Sequence, residues 1–261
     1  MKFIAIINNK GGIGKTTSAV NLAASFAKMN QRCLLVDLDP SASASLHFGF
    51  DKNERDYQTI CDLLLNPERR VADYIYPVGD GFLHCLPSEP ALSEFLEEMI
   101  QEEEQDFFLR REDFPDRFEI VLFDSPPNMG NLALNALAIS DYALIPIQTQ
   151  YLGLSGLEVT LNLIERTQRH LNPKLKILGV FGTQYDRRTR VAKEVYRLIQ
   201  KRFPKKTFNT VVGVNSKLIE AFHARKPIIE YAPSARGAKE YMALAEEILN
   251  RMGMTGGKAA K

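Results

Sequence analysis

Residues 8–17 read Asn-Asn-Lys-Gly-Gly-Ile-Gly-Lys-Thr-Thr, a run whose residue types can hold a phosphate chain. The apolar stretch Phe3–Ile7 before it predicts a buried strand, and the apolar spacing over Ser18–Met29 predicts a helix after it. A glycine-rich turn between strand and helix offers backbone N–H groups and the positive end of a helix dipole to an anion. Gly11, Gly12, Ile13 and Gly14 would form that turn. Lys15 can then reach the β- and γ-phosphates of a nucleotide, and the Thr16 hydroxyl, followed by Thr17, can bind Mg²⁺. The run is a P-loop with one departure: Asn9 stands where the first glycine is usual, and a second lysine, Lys10, follows it.

Two further apolar runs end in acids. Leu34-Leu35-Val36-Asp37-Leu38-Asp39-Pro40 places Asp37 or Asp39 near the P-loop, because ligands of open parallel sheets lie outside the carboxyl ends of the strands. Asp39, further past the strand end, is the better placed to orient an attacking water; the competing role for these acids is capping the next helix. Ile120-Val121-Leu122-Phe123-Asp124 has the form of a Walker B strand, so Asp124 can hold Mg²⁺ opposite Thr16, directly or through water.

Strands and helices that could carry these residues alternate along the chain. Strands are expected at Phe3–Ile7, Arg32–Val36, Phe82–Leu86, Ile120–Phe123, Ala143–Pro146, Lys176–Phe181 and Thr210–Val212. Helices are expected at Ser18–Met29, Tyr57–Leu65, Ala91–Arg111, Leu132–Ala138, Leu154–Leu171, Val191–Phe203, Ser216–Ala224 and Ala235–Arg251. This is an α/β chain with a mainly parallel, twisted sheet covered by helices on both faces. Residues 1–252 are read as a single domain, with a small, polar, disordered tail over 253–261. The chain begins on its first strand, which leaves no room for an N-terminal operator-reading module.

With 261 residues, one large core is within reach. The net charge of +1 hides an asymmetry. Asp51–Glu119 carries 19 acids against 7 bases, whereas Arg166–Lys226 carries 16 bases against 3 acids. The basic half points to a polyanion such as nucleic acid, or else to solvated helix faces. Cys33, Cys61 and Cys85 have no metal-like spacing; with no secretory segment they suggest a reducing cytoplasm. No run is long and apolar enough to span a bilayer.

Lys10–Thr17 resembles the deviant Walker A motif of the ParA/MinD ATPases. Asp37-Leu38-Asp39-Pro40 and Phe123-Asp124-Ser125-Pro126-Pro127 resemble that family's second and third signatures. Pro146–Tyr151, Leu154–Leu157, Tyr185–Thr189 and Ser234–Gly237 are similar to the small chromosomal type of ParA. The resemblance spans essentially residues 2–252. It implies a P-loop NTPase fold and a homodimer sandwiching two ATP molecules. It also implies partner-stimulated hydrolysis and the positioning or segregation of a cargo through a ParB-like or other adaptor. Lys10 matches the lysine that crosses to the partner's nucleotide, Lys15 the in-cis phosphate lysine, and Asp39 the acid that activates water. Gly213 and Asn215 match positions near the nucleotide base. Lys193 and Lys217 fall where the family carries basic residues for non-specific DNA, with Arg187, Arg188 and Arg190 as further phosphate contacts on a nucleoid-associated protein.

Two departures bear on this. Ser41-Ala42-Ser43 replaces the family's usual Gln-Gly-Asn, and Gly213-Val214 replaces Pro-Arg, so one basic contact is absent. Three other readings compete. A MinD-like membrane regulator needs a C-terminal amphipathic helix, which Met252–Lys261 does not offer. A nitrogenase iron-protein type needs cysteines around a dimer axis. A metabolic P-loop ligase fits the basic segment poorly.

Overall fold

The computed structural model describes residues 1–66, 68, 70–95, 108–128, 130–150 and 156–254. Its strands are β1 (Lys2–Ile6), β2 (Cys33–Asp37), β3 (Tyr76–Val78), β4 (Leu83–Leu86), β5 (Ile120–Asp124), β6 (Tyr142–Gln148) and β7 (Lys176–Thr183). They form one sheet in the order β3-β4-β2-β5-β1-β6-β7. Every neighbouring pair is parallel except β3–β4. The inner strands are apolar throughout because both faces are covered. Phe3, Ala5, Val121 and Phe123 pack on one side, and Ile4, Ile6, Leu35 and Leu122 on the other.

The helices are α1 (Lys15–Lys28), α2 (Ser43–His47), α3 (Ile60–Leu65), α4 (Asn131–Ile139), α5 (Leu157–His170), α6 (Arg190–Arg202), α7 (Ser216–His223), α8 (Ile228–Tyr231) and α9 (Arg236–Arg251). Those of α3, α4, α5 and α6 feed the first core and those of α1, α7, α8 and α9 the second. The helix carrying the P-loop threonines is bolted from behind by two buried polar side chains. The hydroxyls of Ser18 and Tyr241 lie 3.1 Å apart, and the Asn21 amide oxygen accepts the Ile228 N–H at 2.8 Å.

Several boundaries differ from expectation. α1 begins at Lys15 rather than Ser18, because left-handed Gly14 (φ 88°) forms its N-cap. α3 begins at Ile60 rather than Tyr57, because Thr59 and Asp62 close a capping box there. Thr210–Val212 forms no strand of the sheet; an isolated bridge joins Thr207 to Val180 of β7, another joins Gly213 to Tyr185 just past it, and the Val212 N–H donates to the Gly182 carbonyl at 2.9 Å. The Asn209 and Thr210 N–H groups donate to the Glu247 carboxylate instead of to a ladder. β3, α2 and α8 are too short to show a period. The helix expected at Ala91–Arg111 lies mostly outside the described residues. Phe108–Arg110, its described end, is not helical: the Phe108 N–H is taken by the Asn135 side chain, and Arg111 in the next turn pairs with Asp141. The helix expected from Leu154 is described from Leu157, and the tail beyond Met254 lies outside the described residues.

Candidate nucleotide-binding site

β5 lies between β1 and β2, which brings the expected residues together at the carboxyl ends of the central strands. Asp124 is the register partner of Ile6, two residues before Asn8, and of Asp37 on the other side. Gly12 and Gly14 take left-handed φ values of 72° and 88°. A Cβ built on Gly11, Gly12 or Gly14 would meet nothing within 4 Å, so the loop encloses open space of the kind a phosphate chain needs. The loop is held from outside. Asn8 accepts the Lys10 N–H at 3.1 Å and donates to the Pro146 carbonyl at 2.8 Å. Thr183 and Gln184 donate to the Ile13 and Gly12 carbonyls, both at 2.7 Å. Ile13 turns its side chain into the core and offers only backbone to the cleft.

Asn9, in the usual place of a glycine, packs its amide against Gly156, where any Cβ would collide with it. Its N–H donates to Thr160 on α5 at 3.1 Å. Lys15 is nearly buried, and its ammonium donates to the Lys10 carbonyl at 2.9 Å. Burial lowers its pKa, opposed by the charges of Asp124 and Asp39.

The two acids that end β2 separate cleanly. Asp37 is fully buried and accepts the Asp39 N–H (3.1 Å), the Ser45 N–H (2.9 Å) and the Ser45 hydroxyl (2.7 Å). Burial pushes its carboxyl up to about 6 against those bonds. It is a bracket for α2 and for the loop that carries Asp39. Asp39 instead lines the cleft, with one oxygen accepting the Ser41 N–H at 2.9 Å. Ser41 and Ser43 contact each other through their hydroxyls across left-handed Ala42.

Asp124 is fully buried, yet among the described residues no protein donor completes a well-formed hydrogen bond to either oxygen. Burial and the nearby Asp37 raise its pKa well above the usual carboxylate range, and the adjacent Thr16 hydroxyl and Lys15 ammonium only partly oppose this. A buried acid in that state either keeps its proton or ionises beside a cation. The pairing of one carboxylate with a threonine hydroxyl beside an anion cradle fits Mg²⁺, which keeps waters and shares its remaining ligands with phosphates. Among the described residues no cluster of three or more His, Cys, Asp or Glu could form an all-protein metal cage. The three cysteines are buried and free.

These groups share a cleft of about 470 Å³ lined by the P-loop, Asp39, Ser41, Ser43, Pro127 and Gln184. Its far wall comes from His47 and from Leu218, Ile219 and Phe222 of α7, which no sequence motif announced.

An AAA domain family matches residues 1–177. The chain is 36% identical to the chromosome partitioning protein ParA of Myxococcus xanthus over 252 residues, 96% of this chain and 88% of that one. It is 38% identical to the sporulation initiation inhibitor protein Soj of Bacillus subtilis, covering 95% and 98% of the two chains. The chain belongs to the ParA/Soj family. In fold it is similar to cobyrinic acid a,c-diamide synthase of Mycobacterium smegmatis, solved with an ATP analog and magnesium (TM-score 0.84, 24% identity, 99% of each chain). It is also similar to the cell division ATPase MinD of Pyrococcus furiosus (TM-score 0.74, 25% identity, 95% and 98%). Among the described residues no helix is long and apolar enough to cross a membrane.

The remaining ParA/Soj-like positions lie beside the P-loop cleft rather than in its lining. The Gly213 N–H donates to Glu240 at 2.8 Å, and the Asn215 side chain caps α7 through the Lys217 N–H at 3.0 Å. A Cβ on Gly213 would collide with the Arg236 guanidinium, which also donates to the Val214 carbonyl at 3.1 Å. That arginine is itself paired with Glu240 at 3.2 Å.

The basic residues differ in their surroundings. Lys217 is tied to Glu220 at 2.6 Å, Arg188 to Asp186 at 2.8 Å, and Arg187 to Glu240 at 3.5 Å. Arg188 holds the Asp186 carboxyl down to about 2. Arg190 and Lys193 lie exposed on α6 with no ion pair among the described residues. Arg197 and Lys201 follow them at helical spacing and extend one cationic stripe opposite the buried Ala192, Val195 and Ile199. The charge count of the basic segment includes these two residues but does not by itself place them on that face.

Proposed function

We propose that this chain is a Mg²⁺-dependent ATPase that dimerises on ATP, binds DNA without sequence preference and positions or segregates a cargo. A ParB-like or other adaptor protein stimulates its hydrolysis. The observation that carries this reading is the cleft itself: an open glycine cradle, a buried lysine, a buried carboxylate without a protein hydrogen bond among the described residues and a half-buried carboxylate, all at the carboxyl ends of the central strands.

In this reading Lys15 exchanges its bond to the Lys10 carbonyl for the phosphates, and the N–H groups of residues 11–17 surround them. Thr16 and Asp124 hold Mg²⁺, which when bound neutralises phosphate charge during transfer. Asp39, at the cleft wall, holds the attacking water and receives its proton. Lys10 serves the partner subunit's nucleotide. Gly213 and Asn215 lie toward the base. The cationic residues of α6 and α7, with Arg187 and Arg188, contact phosphates of DNA, and the protein resides on the nucleoid in the cytoplasm.

The test is a set of three proteins followed by nucleotide binding, phosphate release and light scattering. Wild type should bind ATP with Mg²⁺, hydrolyse it slowly and double its mass. Lys15→Ala should lose binding. Asp39→Ala should bind and dimerise but release little phosphate. Wild-type turnover by Asp39→Ala would remove its catalytic role, and a wild type that stays monomeric with a non-hydrolysable ATP analogue would remove the sandwich.

A further inference from the structure

Two glutamine side chains tie the phosphate-binding loop to the ends of β6 and β7. Gln184 follows the last residue of β7, half-buried at the cleft wall. Its backbone is left-handed, with φ 50°, a region that a side chain with a Cβ adopts only when its surroundings hold it there. Those surroundings are on either side of it: the Thr149 N–H donates to the Thr183 carbonyl at 3.0 Å, and the Tyr185 N–H to the Val212 carbonyl at 3.0 Å. Strain kept at a cleft wall invites the question of what it positions.

The side-chain amide answers it. The Gly12 carbonyl can only accept, so the Gln184 group facing it at 2.7 Å is the NH₂. That leaves the Gln184 oxygen to accept from the NH₂ of Gln148, the last residue of β6, at 2.6 Å. The next carbonyl of the loop, that of Ile13, is taken by the Thr183 hydroxyl at 2.7 Å.

A peptide unit is planar and trans, so its C=O and N–H point in opposite directions. Pulling the Gly12 and Ile13 carbonyls toward the end of β7 therefore aims the Ile13 and Gly14 N–H groups the other way. Neither of those N–H groups has a protein acceptor among the described residues. Gly12 and Gly14 border the open cleft on that side.

We propose that Gln184 is a positioning residue for the phosphate-binding loop: its amide anchors the Gly12 carbonyl, sets the Ile13 N–H for a nucleotide phosphate, and is itself oriented by Gln148. The inference rests on the nucleotide reading of the cleft. It adds a residue that no phosphate-binding motif contains, 172 positions from the carbonyl it holds.

The test separates backbone strain from loop positioning. Affinity is measured with a fluorescent N-methylanthraniloyl-ADP plus Mg²⁺, and stability by thermal melting of the nucleotide-free protein. Gln184→Gly relieves the left-handed strain and deletes the amide, so it should melt at or above wild type yet bind about three- to tenfold more weakly, the range one net hydrogen bond sets. Gln184→Asn, which tolerates the backbone but is a methylene too short, should weaken binding by the same factor. Gln148→Leu leaves the strained residue intact and should lose part of the affinity. The double variant Gln148→Leu/Gln184→Gly should bind no worse than Gln184→Gly alone.

Wild-type affinity in Gln184→Gly and Gln148→Leu would overturn the assignment, as would weakening that merely follows a lower melting temperature. A wild type that does not bind the probe at all would overturn the nucleotide reading instead, and the role of Gln184 with it.

Discussion

Asp37 and Asp124 are register partners on adjacent parallel strands, and only Asp37 has its hydrogen bonds. Three donors converge on the Asp37 carboxylate, whereas none completes a good bond to Asp124. Both side chains are fully buried. One acid is part of the scaffold, and the other is buried without a protein hydrogen bond of its own among the described residues.

Substitution should therefore have opposite consequences at the two positions. Asp37→Ala strands the Ser45 and Asp39 N–H groups and should cost about 2–4 kcal/mol of stability. Asp124→Asn replaces a buried carboxyl whose charged form burial penalises by a neutral amide of the same shape, so the nucleotide-free protein should melt at or above wild type. The same variant should lose the Mg²⁺ dependence of nucleotide binding. Thermal melting with and without Mg-ADP checks both, and a strongly destabilised nucleotide-free Asp124→Asn would contradict the contrast.

At Gly14 the fold and the ligand make separate demands. An added Cβ meets no protein atom, so Gly14→Ala bears only the cost of a left-handed backbone, about 1 kcal/mol. The methyl group would stand in space the phosphates need, and nucleotide affinity should fall far more than stability, by two orders of magnitude or so for a lost cradle contact and a steric block. Calorimetric titration beside a melting curve measures the two effects. Parallel small losses would place the phosphate chain elsewhere.

The parts of this site that were legible in the sequence are those written in contiguous residues. Lys10–Thr17 between a strand and a helix, and Asp124 ending an apolar run, carry their geometry with them. Position further past the strand end favours Asp39 over Asp37, and Asp39 does line the cleft; what was not legible is Ser45 folding back onto Asp37 to bury and bond it. Gln184, His47 and the α7 wall belong to no local pattern; they reach the cleft through contacts spanning more than a hundred residues. Thr210–Val212 misled for the same reason: the Thr210 N–H goes to Glu247 on α9, and the Val212 N–H alone reaches β7, at the Gly182 carbonyl. Short-range periodicity records which face of an element is buried, but not which distant group takes its donors.

His47 should make the stability of the fold sensitive to mild acid. It is buried, its Nε2–H donates to the Lys226 carbonyl at 2.9 Å, and its ring stands edge-on to Phe222. Burial lowers its pKa below the ordinary 6.5, outweighing the Lys226 bond. A depressed folded-state pKa contributes stability that is fully present above 6.5 and is lost as pH falls through the folded value. Asp37, raised from 3.8 to about 6, acts in the opposite sense below that. The comparison must therefore be a difference: the stability gap between wild type and His47→Gln should shrink as pH falls from 7 toward 5. A gap constant across that range, measured by urea unfolding, would mean that His47 does not titrate with folding.

The cationic stripe of α6 should matter more for DNA than the lysine of α7. Arg190, Lys193, Arg197 and Lys201 lie on one exposed face with no ion pairs among the described residues, whereas the Lys217 ammonium is already neutralised by Glu220. A phosphate contact made by an unpaired cation releases a counterion; one made by a paired lysine must first break its salt bridge. Lys193→Glu should thus weaken binding to unrelated duplexes alike, by roughly tenfold at moderate salt, and reduce the slope of log K against log salt by about 1. Lys217→Glu should do less, and neither variant should alter ATP-dependent dimerisation. Fluorescence anisotropy on two unrelated duplexes at three salt concentrations reads all of these quantities. A larger loss in Lys217→Glu than in Lys193→Glu would move the DNA surface from α6 to α7, and a strong preference for one duplex would show that base edges, not phosphates, are being read.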